Sequence, residues 1–328
     1  MKMLSNWHQA ISYRLLGWLA GLSAFAQDPG QFNLIESLPN RDVALRFTSP
    51  AGGAWRLETS GNLADWEGWR TFRSTGADRH LDSGAPYQAH RYFRAVEVAA
   101  GSALTGDHLA TSRGDAVIHP INHATLVLGW NGRTIYVDPV GGAVPFQGLP
   151  RADLILITHQ HGDHLDAGTI NSVRGPEGVI VAPQVVYSAL SATLRALTKV
   201  LPNGASTNLL DLTIEAMPAY NLTASHHAKG AGNGYVVALG GKRIYLSGDT
   251  EDIPEMRALR DIDVAFVSMN LPYTMSVPKA VSAVREFRPK VVYPYHYRNA
   301  DRSLADLEGF KQQVGTDLGI EVRLRPWY

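Results

Sequence analysis

The chain changes its hydrophobic rhythm partway along. Between residue 28 and about residue 100, short alternating runs such as Val43-Ala44-Leu45-Arg46-Phe47 and Ala54-Trp55-Arg56-Leu57-Glu58 are separated by Gly, Pro, Asn and Asp. Alternation with period two marks strands with one buried face, so this stretch predicts a small antiparallel β domain. Trp55, Trp66, Trp69, Phe72, Tyr92 and Phe93 are its expected core, and residues 99–102 its expected linker. From about residue 105 the apolar runs lengthen. Residues 117–121, 125–130 and 134–139 predict strands, with Asn131-Gly132 as a hairpin turn. Further buried strands are expected at 154–157, 179–183, 212–221, 235–239, 243–247, 263–269 and 291–297. Apolar positions at helical spacing predict helices over 184–196 and 278–288. Strands alternating with helices give an α/β chain.

The first 26 residues follow a different logic. Lys2 and Arg14 precede an apolar run from Leu15 to Phe25, and Ala24-Phe25-Ala26 is a small-x-small cleavage pattern. That is the pattern of a secretory signal peptide, and the run is short for a membrane span. The mature protein is therefore expected to be periplasmic or secreted, with no stable membrane anchor once the signal is removed.

Composition narrows the chemistry. The 328 residues contain no cysteine, which excludes disulfides, thiolate nucleophiles and thiolate-held zinc. Lys plus Arg and Asp plus Glu both number 30, so the formal net charge is zero, and no basic tract favours nucleic acid as a partner. Any metal has to be held by His, Asp, Glu or Asn.

Such residues cluster in Thr158-His159-Gln160-His161-Gly162-Asp163-His164, directly after the apolar run 154–157. In an extended segment residues two apart point the same way, so His159 and His161 can converge on one ion. Asp163 and His164 follow the turn and can face a second ion. Neutral imidazole and carboxylate suit zinc, iron or manganese. A lone HxH is commonly a surface loop, whereas HxHxDH at the end of a buried strand is far more specific. Downstream, Gly248-Asp249-Thr250 ends one strand, His296 stands at the tip of another, and Asn221, His226, His227 and Lys229 lie on a loop after the 212–221 strand. His123-Ala124 and Asp138-Pro139 flank two earlier strands.

This ordered set, HA, DP, HxHxDH, GDT and a late strand-end His, resembles the metallo-β-lactamase superfamily over about residues 105–328. It is similar to the branch holding L-ascorbate-6-phosphate lactonase-like and N-acylphosphatidylethanolamine phospholipase D-like proteins. The resemblance implies an αββα sandwich of two facing sheets with helices outside, here preceded by a small all-β domain loosely like a fibronectin type III module. It implies two zinc ions, with iron or manganese admissible. His159, His161 and His227 would hold one and Asp163, His164 and His296 the other, with Asp249 between them. His123 and Asp138 would pack beneath and orient the ligands. The strand before the His226 loop usually ends in a ligating His in this superfamily. Asn221 stands there instead, so the first site is completed by His227, the favoured candidate, or by His226, Asn221 or a water.

The implied activity is hydrolysis of a small-molecule substrate by an activated water, with Asp163 or Asp249 moving the proton. A lactone or other carboxylic ester is the leading bond class and a phosphodiester, as in a phospholipase D-like enzyme, the runner-up. Two further alternatives are a mononuclear iron enzyme of the sulfur-dioxygenase type and a polymer-binding protein with an inactive metal domain. Should His226 and His227 instead be a surface pair, Lys229 would be left to orient an anionic substrate; Tyr273 and Met275 are expected to line the pocket. Nothing in the ligand pattern specifies the oligomeric state.

Overall fold

The computed structural model describes residues 30–99, 104–223 and 226–328; the expected signal peptide and all but the first residue of the expected linker lie outside these. The chain divides into two compact units, Met1–Ala103 and Leu104–Tyr328.

The first unit contains β1 (Gln31–Ser37), β2 (Val43–Thr48), β3 (Ala54–Ser60), β4 (Glu67–Arg73), β5 (Ala77–Asp82) and β6 (Tyr92–Val98). β2 pairs antiparallel with β1 and β5, and β3 pairs antiparallel with β4 and β6. Val43, Leu45, Phe47, Trp55, Leu57, Trp69, Phe72 and Phe93 fill its core. Trp66 and Tyr92, expected in that core, are only half-buried. Trp66 instead closes the turn before β4, its indole N–H on the Leu63 carbonyl at 3.2 Å and its ring 4.4 Å from the Arg94 guanidinium.

The second unit holds two sheets whose strands lie in chain order. The first comprises β7 (Gly106–Leu109), β8 (Ala116–Asn122), β9 (Thr125–Trp130), β10 (Arg133–Val137), β11 (Ala152–Leu156), β12 (Arg174–Ala182) and β13 (Thr198–Val200). The other comprises β14 (Ser206–Leu209), β15 (Leu212–Ala219), β16 (Gly232–Leu239), β17 (Lys242–Leu246), β18 (Val264–Ser268), β19 (Val291–Tyr295) and β20 (Glu321–Val322). Each starts as an antiparallel meander, through β10 and β17 respectively, and continues with parallel strands. Helices α1 (Ala167–Val173), α2 (Gln184–Ala189), α3 (Ala192–Arg195), α4 (Pro254–Arg257), α5 (Val277–Phe287) and α6 (Leu307–Val314) connect them.

Period two explains the layering. Leu126, Leu128, Ile135, Val137, Leu154 and Leu156 face the second sheet and meet Ile214, Tyr235, Val237, Leu246 and Phe266. The intervening Val127, Tyr136, Ile155 and Ile180 face outward and are covered by Ile170 of α1 and Val186 of α2. Strands apolar on both faces need a helix layer as well as a sheet partner. The result is the mixed α/β sandwich implied by the sequence. One helix differs from expectation: residues 184–196 are two short helices. Ser191 takes an extended backbone and caps α3, accepting from the Leu194 N–H, which breaks the run.

Candidate metal centre

The centre is assembled at the strand ends of the two facing sheets. Asp138 immediately follows β10 with φ 43° and is fully buried. Its carboxylate accepts from the Thr158 N–H at 2.8 Å, the Thr158 hydroxyl at 2.7 Å and His164 Nδ1 at 2.8 Å. Thr158 Oγ1 lies 3.0 Å from His159 Nδ1. Its proton goes to Asp138, so it accepts from that ring. Both imidazoles thus keep their proton on Nδ1, leaving the Nε2 lone pairs of His159 and His164 aimed into the centre. Beyond Leu156 the chain leaves the strand, and the His164 and Leu165 N–H groups close a turn on the His161 carbonyl at 2.9 and 2.8 Å. That turn brings His161 Nδ1 to 3.1 Å from His159 Nε2.

Asn221 is not itself aimed at the centre. Its side-chain carbonyl accepts from the His227 backbone N–H at 2.7 Å and from His227 Nδ1 at 2.9 Å, and its amide donates to the Tyr273 carbonyl at 2.8 Å. This fixes the His227 ring with Nε2 bare. That Nε2 is buried and makes no hydrogen bond among the described residues, and it lies 3.5 Å from Asp249 Oδ2. Nitrogen atoms of His159, His161 and His227 lie within 4.8 Å of one another, as do ligand atoms of His159, His164 and Asp249 and of His123, Asp163 and His296.

Gly248 (φ 60°) delivers Asp249. A Cβ on Gly248 would stand 2.8 Å from the Asn233 carbonyl oxygen and 3.3 Å from the Thr158 side chain, so only glycine lets β17 approach the HxHxDH loop. Around Asp249 Oδ1 the second group is tight. His164 Nε2 and His296 Nε2 are 3.1 Å apart, each 3.4 Å from Asp249 Oδ1. Asp163 Oδ2 is 3.4 Å from His296 Nε2 and 3.7 Å from His164 Nε2. His123 faces Asp163 directly, its Nε2 3.0 Å from Oδ2, and its ring lies 3.7 Å from that of His296.

These distances fit a metal. Four donors at the corners of a tetrahedron with edges near 3.4 Å lie about 2.1 Å from its centre, the bond length zinc makes to nitrogen and oxygen. Two imidazole nitrogens 3.1 Å apart have at most one proton to share and otherwise oppose lone pairs; a shared cation removes that conflict. Asp249 Oδ1 is likewise buried without a hydrogen bond among the described residues. The charge balance points the same way. Burial opposes ionisation of Asp249, but the His296 and His164 charges outweigh it and hold its carboxyl well below the usual range. Burial also opposes the His296 imidazolium, yet Asp249 and Asp163 outweigh it and push that group up to about 9. Positive charge is called for beside these two acids, and a proton supplies it where a metal would. His159 is the converse: burial and the His164 charge hold its imidazole well below its usual range, in the neutral form a metal requires.

All seven residues singled out as ligands in the sequence, His159, His161, Asp163, His164, His227, Asp249 and His296, meet at this centre. His226 is exposed, its ring 6.5 Å from that of His227 and edge-on to Tyr273 at 4.9 Å. Two lesser expectations are corrected. Lys229 is not a free cation: its ammonium pairs with Glu255 at 2.8 Å and meets the Tyr220 hydroxyl at 3.3 Å. Met275 is fully buried in the sheet core rather than lining a pocket. The cleft over the centre, about 110 Å³, is bordered by Gln160, His161, His226, His227 and Asp249. Sequence reading missed Thr158, which aligns two histidines, and Tyr328, whose hydroxyl is 2.8 Å from His123 Nδ1. No motif surrounds Tyr328; Thr158 adjoins one.

Comparison with known proteins agrees with this geometry. The beta-lactamase superfamily domain matches residues 118–296. A UPF0173 metal-dependent hydrolase of Pyrococcus abyssi is 34% identical over 180 residues, covering 53% of this chain and 79% of that protein. The crystal structure of a putative metal-dependent hydrolase from Parabacteroides distasonis superposes with a TM-score of 0.60 at 40% identity, covering 67% of this chain and 97% of that one. Igni18, a metallo hydrolase from Ignicoccus hospitalis, superposes with a TM-score of 0.55 at 26% identity, covering 63% and 94%. The chain belongs to the metallo-β-lactamase superfamily, in the family of UPF0173 metal-dependent hydrolases.

Proposed function

We propose that this metal-dependent hydrolase is an exported enzyme that uses two zinc ions to hydrolyse a lactone or other carboxylic ester. The observation that carries the reading is the spacing of Asp163 Oδ2, His164 Nε2, Asp249 Oδ1 and His296 Nε2, with separations of 3.1, 3.4, 3.4, 3.4 and 3.7 Å. These atoms would hold one ion; His159 Nε2, His161 Nδ1 and His227 Nε2 would hold the other. Asp249 would serve both, its Oδ1 lying beside His164 and His296, which would hold the second ion, and its Oδ2 beside His227, which would hold the first. When bound, such ions acidify a water to a pKa of about 7 and polarise the oxygen of the bond under attack.

The rest is done by side chains. Asp163 is 47% exposed while Asp249 is 4% exposed. Asp163 Oδ2 faces His123, and Oδ1 makes no hydrogen bond among the described residues, so Asp163 is placed to take the proton of an attacking water and return it to the leaving oxygen. Asp249 stays ionised and holds the histidines in register. Among the described residues bordering the cleft there is no lysine or arginine, which favours a neutral ester over a phosphodiester anion.

The test is purified protein with its metal content measured, assayed on lactones, aryl esters and bis-aryl phosphodiesters with and without chelator. Ester turnover abolished by chelator and by Asp249→Ala supports the reading. Phosphodiester turnover alone overturns the bond class. One iron per chain with oxygen uptake on thiol substrates overturns the hydrolytic mechanism, and polymer binding untouched by Asp249→Ala, without turnover, overturns the enzyme. Export predicts a mature N-terminus at Gln27, read by mass spectrometry of the protein recovered outside the cytoplasm.

A further inference from the structure

Asp163 is held differently from its neighbours. Its side chain is 47% exposed, against 0, 4 and 1% for His164, Asp249 and His296, so packing does not set its orientation. What faces it is His123, which sits in the two-residue turn between β8 and β9, where Asn122 pairs with Thr125. Its φ is 57°, a conformation that turns of this length normally give to glycine at that position. A histidine kept in a strained turn at a functional site points to a role for its ring.

That ring has a donor or acceptor at each nitrogen, and the directions can be worked out. The ionised Asp163 carboxylate only accepts, so His123 Nε2 donates across the 3.0 Å contact. A neutral imidazole has one N–H, so Nδ1 accepts, and the Tyr328 hydroxyl 2.8 Å away must donate to it. The Tyr328 oxygen in turn accepts from the Arg298 N–H at 3.3 Å. The Arg298 guanidinium lies 3.8 Å over the Tyr328 ring, and Tyr297 meets that ring edge-on at 5.0 Å. Every donor in this series has one acceptor, and each step runs toward Asp163.

We propose that Tyr328 is a positioning residue: its hydroxyl fixes the His123 tautomer, and His123 Nε2–H then turns Asp163 Oδ2 toward the second ion. This rests on the two-ion reading above. Without the hydroxyl, the His123 proton is free to move to Nδ1. The bare Nε2 then opposes Oδ2 and turns the carboxylate away.

The test is titration of the full chain with zinc against a chromophoric competitor that resolves two affinities, for wild type, Tyr328→Phe, His123→Ala and the double variant. Tyr328→Phe should weaken the second ion about 10–100-fold, the range for partners that orient metal ligands, and leave the first unchanged. In the His123→Ala background the same substitution should change nothing further, because the effect runs through His123. An unchanged second affinity in Tyr328→Phe overturns the proposal. So does an equal loss in both backgrounds, which would mean Tyr328 acts by packing. Should the phenylalanine variant not fold, His123→Gln takes its place. Its carboxamide donates to Asp163 without help from Tyr328 and should hold the second ion near wild-type affinity; loss there overturns the proposal. A wild type that takes up fewer than two ions overturns the two-ion reading itself, and this inference with it.

Discussion

Replacing Asn221 by alanine tests how the centre manages without a histidine at that strand end. Asn221 is 3% exposed and its side chain makes three hydrogen bonds, two to His227 and one to the Tyr273 carbonyl. Alanine leaves the His227 N–H, the His227 Nδ1–H and the Tyr273 carbonyl without those partners. At about 1 kcal/mol for each lost bond, and more where no water replaces it, the variant should be less stable by roughly 2–4 kcal/mol. The His227 ring also loses its fixed tautomer, so the first ion should bind about 10–100-fold more weakly, roughly 1.4–2.7 kcal/mol. Asn221→Asp separates the two effects. It still accepts from His227 and should retain most of the affinity, while its carboxylate repels the Tyr273 carbonyl and lowers stability. Zinc competition titrations beside urea melts measure both quantities. Asn221→Ala binding its first ion as tightly as wild type would refute the reasoning, since His227 would then need no alignment.

Gly248→Ala places a Cβ against the Asn233 carbonyl at 2.8 Å on a backbone with φ 60°, and should destabilise by about 2–4 kcal/mol while displacing Asp249. An unchanged melting temperature with full metal content would count against it. Away from the centre, burial opposes ionisation of Asp263, but Lys290 at 2.8 Å and the Arg243 N–H at 2.9 Å outweigh it and hold its carboxyl below the usual 3.8. A folded value below the unfolded one gives stability that is present above pH 3.8 and lost as pH falls through the folded value. Asp263→Asn should therefore flatten the acid side of the urea-midpoint profile, and an unaltered profile would show that the contact contributes nothing.

Six of the seven candidate ligands were legible because they follow the ends of buried runs at Ile157, Ser247 and Tyr295, and only His227 does not. Unbroken apolar runs such as 154–157 and 179–183 also marked buried strands. What stayed hidden is conformational or distant. Asn221 reads as a missing ligand until its carbonyl is seen holding two His227 protons. Lys229 reads as a free cation because Glu255, its partner, is 26 residues on. Ser191 reads as a helix interior residue although it caps a new helix. Tyr328 carries no signal at all, because its contact with His123 spans 205 positions.

The same backbone device recurs on both sheets. His123 follows β8 with φ 57°, Asp138 follows β10 with φ 43° and His296 follows β19 with φ 47°, while Gly248 comes two residues after β17 with φ 60°. Within a strand, side chains alternate between the two faces and cannot project off its end. A single left-handed residue turns the chain so that they do, at about 1–2 kcal/mol for a residue other than glycine. Asp138 lets geometry and charge be separated. Asp138→Asn tolerates the left-handed turn and can still accept from the Thr158 N–H, but its amide N–H now opposes His164 Nδ1–H. The His164 proton should then move to Nε2, where it blocks the second ion. That variant should fold within about 1–2 kcal/mol of wild type yet bind the second ion at least tenfold more weakly. Asp138→Ala should lose the same affinity and about 3–5 kcal/mol of stability, from the strained turn and three orphaned donors together. If Asp138→Asn kept its second ion at wild-type affinity, the left-handed turn after β10 would have some purpose other than aligning His164.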